Sequence, residues 1–246
     1  MDIHIKYMKR CIELATRGIR NTYPNPMVGC IIVHNNKIIG EGYHEAYGSN
    51  HAEVNAINSV INQDLLSIST LYVNLEPCNH FGKTPPCTKL IIDKGIKNVI
   101  IGSRDPNSHV KGGGINTLIS SGCNVEHGIM KDKCDKLNKR FFTFHNQRRP
   151  YVILKWAESK DGFISPRKSD RNEQDIFWIS NEQSKKMSHY FRSQEHSILV
   201  GVQTVIDDDP ELTTRLVDGK NPIRIVLDPN NRIPNNSKIL STESET

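Results

Sequence analysis

Aromatic side chains are scarce in this 246-residue chain: Phe, Trp and Tyr together make up 7%, and tryptophan occurs twice. A surface that stacks the bases of single-stranded nucleic acid draws on more of them. Long apolar runs are lacking too, and stretches such as Ile31-Ile32-Val33 fall far short of the ~20 residues that span a membrane. The N-terminus, Met1-Asp2-Ile3-His4-Ile5-Lys6, carries charge where a secretory signal has its apolar core. No single sign of charge dominates. Lys and Arg number 32 against 27 Asp and Glu, a net charge of +5 with the basic residues scattered. That balance suits a small anionic ligand at least as well as nucleic acid. Six cysteines are too sparse for a disulfide scaffold. These absences exclude disulfide-rich and membrane-spanning classes and point to a cytoplasmic enzyme with neither a membrane nor a nucleic-acid partner.

What is present is an ordinary globular composition, 36% hydrophobic and 24% charged, long enough for one large domain or two smaller ones. The first part alternates helical and strand patterns. Ile5, Met8, Ile12, Ala15 and Ile19 recur at helical spacing, and Gly18 with the cluster at 21–26 ends that element. Residues 27–33 read as a buried strand, Asn35-Asn36 as a turn and 37–41 as the returning hairpin strand. A second helix is expected to start near His51 with Val54, Ile57 and Ile61 facing inward. Strands are expected at 71–75 and 98–102, and a third helix from Cys87 to Gly95. The end of another helix, a Gly122 break and a short strand occupy 118–125, and a helix over 132–142 closes the unit. Such alternation predicts a three-layer α/β domain over 1–146. Residues 147–150, ending in Arg148-Arg149-Pro150, form the linker, and a second α/β unit occupies 151–246. There, strands are expected at 151–157, 197–202 and 223–228, with a helix at 181–192.

Cysteine placement carries the chemistry. Cys11, Cys30, Cys123 and Cys134 stand apart among apolar or helical neighbours and read as small buried hydrophobes. Cys78 and Cys87 flank a Pro- and Gly-containing loop at a strand-to-helix junction, and His51-Ala52-Glu53 opens a helix. One imidazole and two thiolates are the ligand set of a catalytic zinc that keeps its fourth position for water and lowers that water's pKa. Glu53 is the candidate proton carrier. Positions i and i+2 of a regular helix point about 200° apart, so the two side chains converge only if His51 sits in a frayed first turn. Alone, His-x-Glu is a common surface helix start. A structural zinc site with a fourth ligand from Cys30 or His80 is the competing reading. The order His-x-Glu, then Pro-Cys and a second Cys, is that of zinc deaminases acting on nucleobases, here with eight residues between the cysteines instead of two.

That longer loop carries the resemblance to a family. His51-Ala52-Glu53 and the run from Glu76-Pro77-Cys78 through Asn79, His80, Phe81, Gly82, Lys83, Thr84 and Pro85-Pro86-Cys87 resemble the deaminase domain of the RibD family, the bifunctional deaminase/reductases of riboflavin biosynthesis. Asn25-Pro26-Met27-Val28-Gly29, Gly42-Tyr43-His44 and Asp105-Pro106-Asn107 are similar to the same family. The resemblance implies a cytidine-deaminase-like fold and a pyrimidine-nucleotide deaminase, a hydrolase of C–N bonds. Its substrate would be a diaminopyrimidinone with a ribosylamino 5′-phosphate. It implies His51, Cys78 and Cys87 as Zn²⁺ ligands and Glu53 as general acid/base. Asn25, His44, His80, Lys83, Asp105 and Asn107 would line the substrate pocket. Lys83 is a cation suited to phosphate, and the asparagines offer paired donors and acceptors. Lys111-Gly112-Gly113-Gly114 reads as a turn before it reads as a phosphate cradle.

In the second unit the run 155–162, Trp178-Ile179-Ser180 and the run 201–215 resemble the family's reductase domain, which is dihydrofolate-reductase-like and uses NADPH. The resemblance places Lys155, Trp178, Thr204 and Asp208 against cofactor or substrate, and Arg192 and Arg215 on the substrate phosphate. A guanidinium fork suits that last role. The family domain continues past the position matching residue 246, so an incomplete reductase is expected, inactive alone or completed by another chain. Two other readings are a nucleic-acid-editing deaminase and a non-enzymatic, zinc-stabilised binding module. The α/β faces permit a homo-oligomer.

Overall fold

The computed structural model describes residues 3–81, 85–107, 113–167 and 178–241. Their contacts divide the chain into two units, Met1–Val152 and Ile153–Thr246.

The first unit is built on α1 (Ile3–Thr16), β1 (Gly29–His34), β2 (Lys37–Tyr43), α2 (Ala52–Asn58), β3 (Thr70–Leu75), α3 (Cys87–Asp93), β4 (Asn98–Ser103), α4 (Gly113–Ser120), β5 (Asn124–His127), α5 (Lys131–Leu137) and α6 (Lys139–Gln147). The sheet order is β2-β1-β3-β4-β5. β1 runs antiparallel to β2 and β3, whereas β3, β4 and β5 are parallel. Strand side chains alternate between two apolar layers. Cys30, Ile32, Leu71, Val73, Val99 and Ile101 pack with Ala52, Ala56, Ile57, Ile91, Ile115 and Leu118 from α2, α3 and α4. Ile31, Val33, Tyr72 and Ile100 pack on the other face with Tyr7, Met8, Cys11 and Leu14 of α1 and Cys134 of α5. Helices on both faces make the expected three layers. Each fully buried aliphatic side chain contributes roughly 1.5–3 kcal/mol to the cohesion of these layers.

This register gathers four chain segments at one edge of the sheet. Cys30 pairs with Val73 and Gly29 with Tyr43, so β1 begins where β2 and β3 end. Leu75 pairs with Ser103, so β4 ends there as well. Segments 25–28, His44, Glu76-Pro77-Cys78 and Arg104-Asp105 therefore emerge together, at the carboxyl ends of the parallel strands, where α/β sheets place their ligands. Two glycines let helices reach this edge. A Cβ on Gly42 would stand 2.3 Å from the Ala56 nitrogen, and one on Gly114 would stand 2.0 Å from the Pro77 carbonyl oxygen. Glycine at 42 seats α2 on β2, and glycine at 114 brings α4 against the Cys78 loop.

Three local expectations change in this unit. β1 starts at Gly29, two residues after the predicted start, because the Met27 backbone is held by asparagine side chains. α2 ends at Asn58, which leaves Ile61 beyond it and fully exposed. The helix expected over 132–142 is two helices that meet at Asn138, whose φ of −99° and ψ of 26° interrupt the helical path.

In the second unit, α7 (Glu182–Gln194), β6 (Ser197–Gly201), α8 (Val202–Asp208), β7 (Ile223–Leu227) and α9 (Lys238–Ser241) surround a two-stranded parallel sheet. Asn181 caps α7 by accepting from the Ser184 amide at 2.9 Å. The small core joins Val205, Leu212 and Ile239 with Ile198, Val200, Val226 and Ile233. The strand expected at 151–157 is irregular chain instead, with Leu154 and Trp156 exposed.

Candidate metal centre

His51 is the N-cap residue of α2, with extended backbone at φ −71° and ψ 161°. It stands outside the helical path, which removes the i, i+2 divergence and lets its ring turn toward the same space as Glu53. Cys78 follows β3 through Glu76-Pro77, and Cys87 opens α3 behind Pro86. A tetrahedral zinc with Zn–N of about 2.0–2.1 Å and Zn–S of about 2.3 Å has N–S edges of about 3.6 Å. Here His51 Nδ1 lies 3.3 Å from Cys87 Sγ and 3.5 Å from Cys78 Sγ. All three ligand atoms lie within 4.8 Å of one another. Edge lengths and donor chemistry both fit one zinc ion.

The electrostatics suit a cation. The Cys87 thiol beside Cys78 pushes the Cys78 pKa down, and the Cys87 amide and the His51 ring help. The same bond, then burial, pushes Cys87 up. The opposite shifts favour ionising one thiol of the pair, and a metal bound there would displace the remaining proton. Hydrogen bonding to Cys78 raises the His51 pKa. Glu53 is 3% exposed, and burial raises its pKa against the opposing pull of His51. A carboxyl so placed passes between its protonated and ionised forms nearer neutral pH than an ordinary glutamate.

A cavity of about 300 Å³ opens on these residues. Asn25, His44, His51, Glu53, Cys78, His80, Asp105 and Asn107 line it. Lys83 lies outside the described residues, as do Lys111 and Gly112 of the glycine run. His44 Nδ1 faces the Asn50 carbonyl at 2.9 Å, so that nitrogen carries the hydrogen. Its Nε2 then accepts from Asn25 Nδ2 at 3.1 Å, which fixes the orientation of the Asn25 amide. Burial lowers the His44 pKa and keeps the ring neutral. Asp105 accepts from the Asn107 amide at 2.7 Å, and burial, with the nearby Glu76 carboxylate, raises its pKa to about 6.

Sequence reasoning missed several contributors. Glu76 accepts from the amides of Asp105, Gly114 and Ile115 at 3.0–3.1 Å, tying the Cys78 loop to β4 and to the start of α4. Its place beside Pro77-Cys78 was the available signal. Tyr47, Ser49 and Phe141 also line the cavity. Phe141 lies 54 residues beyond Cys87 on a helix with ordinary amphipathic spacing, so nothing local marks it.

In the second unit Arg192 and Arg215 converge on Thr213. Arg192 Nη1 donates to the Thr213 carbonyl at 3.0 Å, and Arg215 Nη1 donates to Thr213 Oγ1 and Glu211 Oε2, both at 2.7 Å. Burial, then the two arginines, lowers His189 to about 4, and its Nδ1 accepts from the Arg215 amide. Lys155 lies on exposed irregular chain, and Trp178 sits 4.0 Å beneath the Lys185 ammonium. Thr204 and Asp208 lie four residues apart on α8.

Comparison with known proteins agrees with both units. Residues 1–103 match the family described as cytidine and deoxycytidylate deaminase zinc-binding region, and residues 150–246 match the RibD C-terminal domain. The riboflavin biosynthesis protein RibD of Aquifex aeolicus is 43% identical over 243 residues, covering 98% of this chain and 66% of that protein. The diaminohydroxyphosphoribosylamino-pyrimidine deaminase of Buchnera aphidicola subsp. Schizaphis graminum is 54% identical over 136 residues, 55% of this chain and 91% of its own. A crystal structure of the deaminase/reductase from Thermotoga maritima superposes with a TM-score of 0.88 at 40% identity, covering 98% of this chain and 68% of that one. The chain spans 62–66% of the length of several curated relatives that it matches almost throughout. Among the described residues no helix is long and apolar enough to cross a membrane.

Proposed function

Because this chain belongs to the RibD family of riboflavin biosynthesis proteins, we propose that its first unit is a zinc-dependent hydrolytic deaminase acting on a diaminopyrimidinone that carries a ribosylamino 5′-phosphate. The observation that carries this reading is the convergence of His51, Cys78 and Cys87 beside a buried Glu53, with His51, Cys78 and Glu53 lining one cavity. His51, Cys78 and Cys87 would hold the zinc, whose Lewis acidity would lower the pKa of a water toward neutrality. Glu53 would take one proton of this water and pass it to the ring nitrogen as the hydroxyl adds to the ring carbon, then take the proton of that hydroxyl and pass it to the departing amine. A C–O bond forms, the exocyclic C–N bond breaks and ammonia leaves, so atoms and protons balance without any redox partner. Asn25, oriented by His44, presents its amide to the ring edge, and Asp105 and Asn107 line the same cavity. His80 and Lys83 supply cationic or hydrogen-bonding groups on the loop between the cysteines, suited to ribose or phosphate.

The second unit takes the role of the family's NADPH-dependent reductase domain. Arg192 and Arg215 meet the substrate phosphate, and Lys155, Trp178, Thr204 and Asp208 contact cofactor or substrate. The shared focus of the two guanidinium groups on Thr213 supports the phosphate assignment. The domain limits, 1–146 and 151–246 with a linker at 147–150, and the cytoplasmic location complete the reading, which permits a homo-oligomer.

The test is ammonia release from the diaminopyrimidine ribotide by the purified chain. Release that a chelator abolishes and zinc restores is expected. Release from RNA but not from the free nucleotide would replace this reading by a nucleic-acid-editing deaminase. Bound zinc with four protein ligands and no ammonia release would make the unit a binding module.

A further inference from the structure

The segment that carries Asn25 into the cavity is not part of a strand, yet the Met27 backbone within it is paired by side chains from distant elements. Asn138, at the junction of α5 and α6, accepts from the Met27 amide through Oδ1 at 2.8 Å and donates from Nδ2 to the Met27 carbonyl at 2.9 Å. One side-chain amide thus pairs with both polar groups of one residue, as a neighbouring strand would. Asn74 continues the pairing. Its Nδ2 donates to the Met27 carbonyl at 3.2 Å, and its Oδ1 accepts from the Gly29 amide at 2.8 Å. Both asparagines are buried, at 4% and 0% exposure, so water does not replace these bonds. Asn25 itself is anchored by its amide to the Thr22 carbonyl at 2.8 Å, and the Val28 carbonyl accepts from the His44 amide at 2.9 Å. Three residues after Asn138, Phe141 lines the same cavity from α6.

We infer that Asn138 is a positioning residue of the deaminase site, acting through the Met27 backbone on Asn25, with Asn74 as its partner in the clamp; this rests on the deaminase reading of the first unit. None of the metal ligands lies on the segment that Asn138 holds, so its effect falls on substrate placement and not on zinc. The break between α5 and α6 follows from the same pairing. A helical Asn138 would keep the path of α5, whereas its observed backbone aims the amide at Met27. An aspartate of the same shape keeps the acceptor for the Met27 amide but sets an oxygen against the Met27 carbonyl.

The experiment is a double-mutant cycle on the zinc-loaded chain with Asn138→Asp, Asn25→Ala and both together. It is read as kcat, KM for the diaminopyrimidine ribotide, and bound zinc. For Asn138→Asp a KM raised about tenfold with kcat within about threefold is expected, and zinc content stays unchanged. In the Asn25→Ala background the same substitution adds less than about twofold, because the two residues act as one unit. Asn138→Ser, which retains an acceptor for the Met27 amide, is read in the same way if the aspartate variant does not fold. A KM effect that multiplies fully with that of Asn25→Ala, a fall in kcat at constant KM, or loss of zinc overturns the inference while leaving the deaminase reading intact. Absence of ammonia release from the unmodified chain overturns both.

Discussion

The two sheets of the molecule treat similar sequence in opposite ways. In the first unit β1, β3 and β4 bury nearly every residue, because helices cover both faces. In the second, β6 and β7 are richer still in Ile, Leu and Val, yet Leu199 is 56% and Leu227 57% exposed. Parallel strands ordinarily lie buried on both faces. Apolar content therefore does not by itself bury a strand; helices on both faces do. The candidate metal centre lies at the strand ends of the doubly covered sheet, where four segments emerge together. The Arg192–Arg215 cluster rests on a helix end and a turn beside a sheet with an open apolar stripe.

The contrast can be sharpened by substitution, the largest effect first. Glu53→Gln should lower kcat about 10³-fold, the scale of losing a positioned general acid/base, with zinc content unchanged; steady-state ammonia assays and metal analysis check it. Ile101, fully buried between β3 and the helices of its face, should cost roughly 2–5 kcal/mol on change to Ala, measured by urea unfolding followed through zinc release. Histidine 189 gives the second unit a pH dependence of its own. Its folded pKa, about 4, lies below its ordinary value of 6.5, so the folded form resists protonation. Stability is then full above about pH 6.5 and falls as the pH drops toward 4. Thermal unfolding followed by tryptophan fluorescence reads this unit alone, since both tryptophans, Trp156 and Trp178, lie in it. His189→Asn should flatten the slope. Leu227→Ala, on the open stripe, should change stability by no more than about 0.5 kcal/mol. A cost as large as that of Ile101→Ala would break the comparison.

Much of the first unit was legible because its signals are local. The Asn35-Asn36 turn is one, with both residues at positive φ; Gly95 and Gly122, also at positive φ, are others. The spacing of His51, Glu53, Cys78 and Cys87 led to the metal cluster, and the expected frayed start at His51 is the extended N-cap of α2. What escaped detection depends on distant pairing. Residues 151–157 have a strand's composition, but a strand needs a partner, and here no ladder forms on them. The late start of β1 and the break at Asn138 are two sides of one contact, 111 residues apart in sequence. No window of sequence around either residue contains the other. Glu76 is intermediate: its position beside Pro77-Cys78 is visible, whereas its three amide donors come from the segment after β4 and from α4.

The central claim is that one imidazole and two sulfurs share a zinc whose remaining position faces solvent and Glu53. X-ray absorption at the zinc edge on the loaded chain tests it most directly. The account predicts one nitrogen at about 2.0–2.1 Å, two sulfurs at about 2.3 Å and one further light atom that exchanges with solvent or inhibitor. A shell with a third sulfur, or with a second imidazole in place of the exchangeable atom, would contradict it.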